Sequence, residues 1–320
     1  MDTTDKRTVL VTGSTGLLGR QVANTFHLMG WNVVGTGYSR ADGVTIRKVD
    51  LGDVAQVKTV LDDTKPHAII HCAAQRFPDK VDKDPEAAKA LNVQATSSLA
   101  SAAAERDIFL IYISTDYVFP GKPGEAPYET DAVPSPPNLY GQTKLDGEKA
   151  TLEEYKKASK VGLAAVLRVP VLYGTAETPS ESAVNTLMDS VWKAQTQGQK
   201  IKMDHWSIRY PTNTEDVSRV CYDVTKKYLS AGDRASLPQI LQFSSEEKMT
   251  KYEICEKFGR IMGLSIENIE PNAEGNDPNA SVQRPYDCHL STKALQDLGI
   301  LVEAMDFVAW WRRELGAFRK

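Results

Sequence analysis

Hydrophobic positions in this chain fall into short runs separated by longer stretches with helical spacing. The runs are TVLVT (8–12), WNVVGTG (31–37), TIRKVD (45–50), HAIIHCA (67–73), FLIYIS (109–114), LAAVLRV (163–169) and QILQFS (239–244). Near-continuous Val, Ile and Leu of this length suit strands covered on both faces, because a strand with one wet face alternates apolar and polar residues. The segments between them are long enough for crossover helices, so the pattern predicts a doubly wound α/β parallel sheet. After Gly174 the rhythm loosens. Residues 175–211, with the helix-like ESAVNTLMDSVWKAQTQ, and residues 245–320 are expected to form a smaller lobe, while 212–244 returns to the sheet and completes a domain begun in 1–174. The Pro/Gly-rich stretch FPGKPGEAPYETDAVPSPPN (119–138) reads as a loop over the sheet edge, long enough to be functional.

The first strand runs into VTGSTGLLGRQ, which places Gly13, Gly16 and Gly19 between a strand and an amphipathic helix. In that context the first glycine permits the tight turn, the second lets backbone approach a pyrophosphate, and the third lets helix and strand pack closely. Thr15, Leu17 and Leu18 share the turn, and the helix N-terminus faces the anion. The second strand ends in Gly37, Tyr38, Ser39 and Arg40, a hydroxyl and a guanidinium where NAD sites usually carry a carboxylate, which favours NADP(H); Asp42, two residues on, keeps NAD(H) open. Asp50 and Leu51 close the third strand where an adenine edge is bound, and Cys72, Ala73 and Ala74 close the fourth with small residues that let a cofactor pass. Asn92 on the following helix either braces the sheet near the cofactor or is an ordinary polar residue. Pro170 and Leu172, in LRVPVLYG, complete the cofactor set.

NLYGQTK sets Tyr140 and Lys144 four residues apart on one helix face. A tyrosine is a poor acid near neutral pH, but a neighbouring ammonium and a nicotinamide cation favour its phenolate, and a fixed hydroxyl aligns a substrate carbonyl. Ser114 and Thr115, at the end of the fifth strand, supply such hydroxyls where open α/β sheets bind ligands. Arg76, Tyr117, His205, Trp206, Arg209 and Arg284 are candidates to touch a substrate, such as a nucleotide-sugar-like ligand, although Arg76 reads equally as part of a surface turn and the 205–209 and 284 groups as a join between lobes.

TGSTGLLG, HCAA, YISTDYVF, YGQTK and LRVPVLYG together resemble the extended short-chain dehydrogenase/reductase family, and STDYVF with YETDAVPSPPNLYGQTKLDGE is similar to its dTDP-4-dehydrorhamnose reductase-like branch. MDHWSIRYPTNTEDVSRVC (203–221), KMTKYEICEKF (248–258) and QRPYDCHLSTKALQDLGI (283–300) resemble the family of methionine adenosyltransferase regulatory β subunits over nearly the whole chain. That resemblance implies an NADP-binding regulator attached to a catalytic α subunit that makes S-adenosylmethionine. Tyr140 and Lys144 then serve either as a reductase pair or as a clamp on the nicotinamide ribose. The end of the chain, MDFVAWWRRELGAFRK, departs from the family's α-binding tail. Trp310 and Trp311 are either interface anchors there or the core of a terminal helix.

Composition narrows the picture further. The 320 residues carry a net charge of −4, which gives no reason to seek nucleic acid or an anionic membrane. The four cysteines stand far apart from one another and show no CxxC or Cys/His zinc-ligand spacing, so no metal site is expected and the thiols read as reduced. With no leader pattern at the start and no run of roughly 18 apolar residues, the expected location is cytoplasmic.

Overall fold

All seven apolar runs form strands of one sheet. In a computed structural model, which describes residues 6–196, 200–277 and 279–317, they are β1 (Thr8–Thr12), β2 (Asn32–Gly37), β3 (Ile46–Lys48), β4 (Ala68–His71), β5 (Phe109–Thr115) and β6 (Ala164–Val169). After three short strands outside the sheet, β7 (Leu172–Tyr173), β8 (Ile201–Asp204) and β9 (Thr212–Asn213), comes the seventh, β10 (Ile240–Gln242). Residues 1–5 and 318–320, the extremes of the N-terminal stretch and of the aromatic and basic end, lie outside the described residues.

The strands are parallel, in the order β10-β6-β5-β4-β1-β2-β3. The chain reverses direction across the sheet between β1 and β4, and a crevice opens there beyond the strands' C-terminal ends. Strand periodicity divides the core in two. Val9 and Val11 point to one face, with Val22 and Phe26 of helix α1 (Leu17–Leu28), while Leu10 points to the other, with Val57 and Leu61 of α2 (Val54–Thr64). The short helices α3 (Pro78–Lys83) and α4 (Pro85–Lys89) lead through a π-helical turn into α5 (Thr96–Ala104), which joins α6 (Leu139–Lys157) on the α2 face.

The rest of the chain builds a second core. Of the run expected to be helical over 181–197, whose last residue lies outside the described residues, the α-helix among those described is α7 (Leu187–Lys193), and Pro179–Glu181 forms a separate 3-10 turn. α8 (Thr214–Ser230) covers the α1 side of the large sheet, and α9 (Lys251–Met262) opens with a capping box between Thr250 and Glu253. β8 pairs with β11 (Ile269–Asn272). The segment holding α10 (Lys293–Asp297) returns to the large sheet, where Leu295 and Ile300 are buried against it. Helix α11 (Phe307–Glu314) packs inward: Trp310 and Trp311 are 2% and 1% exposed among Tyr173, Phe258 and Phe307, and Trp310 Nε1 donates to Glu215 Oε1 at 2.8 Å. Both tryptophans are therefore core residues of their own lobe, which resolves the choice left open by the sequence.

Candidate functional site

A cleft of about 720 Å³ opens at the crossover point and runs from the glycine turn to the second lobe. That size lies within the roughly 300–1,000 Å³ usual for small-molecule sites. At one end Gly13 takes φ +64°, and a Cβ there would stand 2.9 Å from the Ala73 backbone; a Cβ on Gly19 would overlap the Gly13 carbonyl. Gly16, at the N-cap of α1, has no such crowding beyond the Gly13 carbonyl at 3.2 Å. Among the described residues the first turn of α1 carries neither a capping side chain nor an acidic group, so its amides stay available to an anion. Thr15, Leu17 and Leu18 line this end, followed by Tyr38, Ser39, Arg40, Asp50 and Leu51.

Cys72, Ala73 and Ala74 border the middle of the cleft with Pro170 and Leu172. Burial pushes the Cys72 thiol up to about 12, which favours the thiol over the thiolate. At the far end α6 starts at Asn138, whose side chain accepts from the Gly141 amide at 3.0 Å and so fixes the turn that carries Tyr140. Tyr140, Lys144, Thr115 and Tyr117 meet there. Lys144 is 3% exposed, its ammonium 4.0 Å from the centre of the Tyr112 ring; burial brings its pKa down to about 7, against the pull of Glu148. Burial drives Tyr140 up to about 12, opposed by the adjacent Thr115 hydroxyl. The neighbouring lysine thus does not by itself make Tyr140 acidic in the protein alone. Asp116, which the motif reading passed over, is pushed up to about 7 by burial, while its carboxylate accepts from Thr115 Oγ1 at 2.9 Å.

Ser114 borders the cleft, yet its hydroxyl is spent elsewhere. It donates to Glu148 Oε1 at 2.5 Å, and Glu148 is held by Arg168 through two bonds of 2.9 and 2.8 Å. The Thr115 hydroxyl is engaged as well, donating to Asp116 Oδ1 at 2.9 Å and accepting from the Tyr117 amide at 3.2 Å, but it lies beside Tyr140 at the cleft wall. Arg76, Arg209 and Arg284 also line the cleft, and Lys251, at the start of α9, joins them. Arg209 pairs with Asp204 at 2.8 Å and Arg284 with Asp79 at 3.1 Å. Burial, with Arg209 and Arg284 nearby, lowers Lys251 to about 8.

Three expected residues fall elsewhere. Asn92 is buried behind the cleft wall; its side chain accepts from the Gln75 amide at 2.8 Å and donates to the Gln75 carbonyl at 2.9 Å and to Thr143 Oγ1 at 3.1 Å. It braces the loop after β4 to the lysine helix rather than lining the cleft. His205 is outside the cleft lining: its amide donates to the Asn272 carbonyl at 2.7 Å, continuing the β8 and β11 pairing, and its ring faces Thr250, with Nδ1 and Oγ1 2.9 Å apart. Trp206 lines an adjoining hollow of about 240 Å³, against Tyr286. Among the described residues no group of three or more His, Cys, Asp or Glu side chains is placed to hold a metal, and no helix is long and apolar enough to cross a membrane.

A glycine turn at the crossover point, with a tyrosine and a lysine one helical turn apart facing it, defines a protein of the extended short-chain dehydrogenase/reductase type. The family model described as RmlD substrate binding domain matches residues 7–317. The chain is 44% identical over 294 residues to "Methionine adenosyltransferase 2 subunit beta" of Xenopus tropicalis, covering 92% of this chain and 83% of that one. The fold superposes on dTDP-4-dehydrorhamnose reductase from Bacillus anthracis in complex with NADP, with a TM-score of 0.78, 23% identity and coverage of 98% of both chains. It also matches UDP-glucose 4-epimerase from Thermus thermophilus complexed with NAD, with a TM-score of 0.76 and 20% identity over 95% of this chain and 99% of that one. The chain belongs to the RmlD substrate-binding-domain family and, within it, to the branch of methionine adenosyltransferase 2 β subunits.

Proposed function

We propose that this chain is an NADP(H)-binding regulatory subunit that attaches to a methionine adenosyltransferase catalytic α subunit in the cytoplasm and tunes S-adenosylmethionine synthesis. The observation that carries the reading is the match to the β subunits over 92% of the chain, second lobe included. In this reading 1–174 with 212–244 bind the cofactor, and 175–211 with 245–320 form the partner-facing lobe. The amides of Leu17–Gly19 take the pyrophosphate, Ser39 and Arg40 lie at the adenosine ribose, and Asp50 and Leu51 flank the base. Tyr140 and Lys144 reach the nicotinamide ribose as hydrogen-bonding groups. A bound nicotinamide supplies hydride chemistry; the chain's own residues orient it and exclude water.

The test is co-elution of the full chain with a catalytic α subunit, together with the α subunit's kinetics. A complex with altered KM or kcat is the expected result; separate elution with unchanged kinetics overturns the proposal. A second reading, an NADPH-dependent reductase of a 4-keto-6-deoxy nucleotide sugar, is favoured by one observation: Thr115, Tyr140 and Lys144 converge at the strand end. Tyr140→Phe separates the two. A reductase loses on the order of 10²–10⁴ in rate, the usual share of a general acid, whereas a regulator keeps its partner.

A further inference from the structure

The guanidinium that the cleft presents beside Ser39 is already engaged. Arg40 Nη1 donates to Glu177 Oε2 at 3.3 Å and to Glu181 Oε1. Arg20, on α1, donates to the same Glu181 through both Nη1, at 3.2 Å, and Nη2, and lies 3.3 Å from Glu177 Oε1. Within this cluster two cations and two carboxylates pair off, with the Arg76 guanidinium close enough to feel Glu181, Arg40 and Arg20. Glu181 is 7% exposed and anchored from behind: the Ser182 hydroxyl donates to the Leu172 carbonyl at 2.7 Å, and Asn185 Nδ2 to the Gly174 carbonyl at 2.8 Å. Its carboxylate also accepts from the Glu177 amide at 3.1 Å. Although burial opposes ionisation, the bonds from Arg20 and Arg40 hold this carboxyl near 2, so it stays charged at neutral pH. A fixed carboxylate on a guanidinium offsets much of the field that a second anion would feel there.

We propose that Glu181 is a specificity-determining residue that discounts the cofactor's 2′-phosphate, so that Arg40 prefers NADP(H) over NAD(H) only modestly. The inference rests on the reading of the cleft as a dinucleotide site. The segment 177–182 lies between β7 and α7.

The experiment is titration of NADPH and of NADH, by fluorescence or calorimetry, into the full chain and its Glu181→Gln, Arg40→Gln and doubly substituted forms. Glu181→Gln should raise the NADPH-to-NADH affinity ratio about tenfold, mostly through tighter NADPH. That gain should shrink with added salt and vanish in the double variant. A ratio that is unchanged or falls overturns the proposal, since Glu181 would then orient Arg40 for the phosphate instead of shielding it. Thermal unfolding reports whether Glu181→Gln folds. If it does not, Glu177→Gln, at the exposed carboxylate of the same cluster, must raise the ratio about twofold, and no change there is equally fatal. If the unsubstituted chain binds neither nucleotide, the dinucleotide reading falls and this inference with it, an outcome distinct from binding without a shift in ratio.

Discussion

The two ends of the cleft treat charge in opposite ways. At the rim beside Arg40, Arg20 and Arg40 are each paired with Glu177 and Glu181, four charges that offset one another. At the floor below Tyr140, Lys144 lies against an aromatic ring and Asp116 against a hydroxyl, and burial brings both toward neutrality, to about 7. A paired cluster stabilises what it holds and yields only to a ligand that replaces a partner. Groups poised near 7 sit where small changes of surroundings move protons, at a standing cost in stability. The rim is built for selection and the floor for response.

The most severe challenge to that contrast is Glu148→Gln, which removes the carboxylate beneath the floor. Arg168, 1% exposed, would lose its counter-charge, and about 3–5 kcal/mol of stability should go with it, read from urea unfolding. A loss under 1 kcal/mol would mean that the floor is not supported by this pair. Lys144→Met should act in the opposite direction. The folded pKa of Lys144 is depressed from 10.5 to about 7, so across that window the unfolded chain holds a proton that the folded chain has released. Stability therefore rises with pH between the two values, and the penalty is fully present below the lower one. The methionine variant should be more stable by on the order of 3 kcal/mol below pH 7, with the gain fading toward pH 10; a pH-independent difference in unfolding free energy would contradict this. Gly13→Ala strains a left-handed turn and presses on Ala73, with an expected cost of about 1–3 kcal/mol and weaker NADPH binding, checked by calorimetry and titration. Smallest is Glu177→Gln at the rim, where an exposed pair should contribute about 0–1 kcal/mol, measured as the shift in thermal midpoint.

The sheet was legible because β-branched runs such as TVLVT and LAAVLRV have no polar face to present, and the glycine turn because only that spacing lets α1 start against β1. The convergence of Tyr140, Lys144 and Thr115 followed from the rule that ligands gather at strand ends. Four things were not legible, each for a physical reason. The contact of His205 with Thr250, 45 positions away, depends on how β8 and α9 are placed, which no local pattern encodes. The Ser114 hydroxyl is spent on Glu148, 34 positions away, and Glu181 reaches Arg40 across 141. Hydrogen-bond partners that distant emerge only when the helices are placed. Asn92 could be called polar and buried from its helix, but not whether it faced a ligand or, as found, two other segments of the chain. Asp116 could have been noticed: an acid directly after a strand-end threonine, with an aromatic residue following it, was in plain view in STDYVF.

The route of the chain through the two cores carries one more consequence. β10 and α8, which complete the large sheet, and Leu295 and Ile300, which cover its flank, are all synthesised after the segment that begins the second core. A fragment ending near residue 174 would leave β6 as an open edge and the apolar side of α1 bare, a state prone to sticking rather than folding. The halves should consequently melt together in one transition, and the chain should refold slowly, as contacts closed over such long loops dictate.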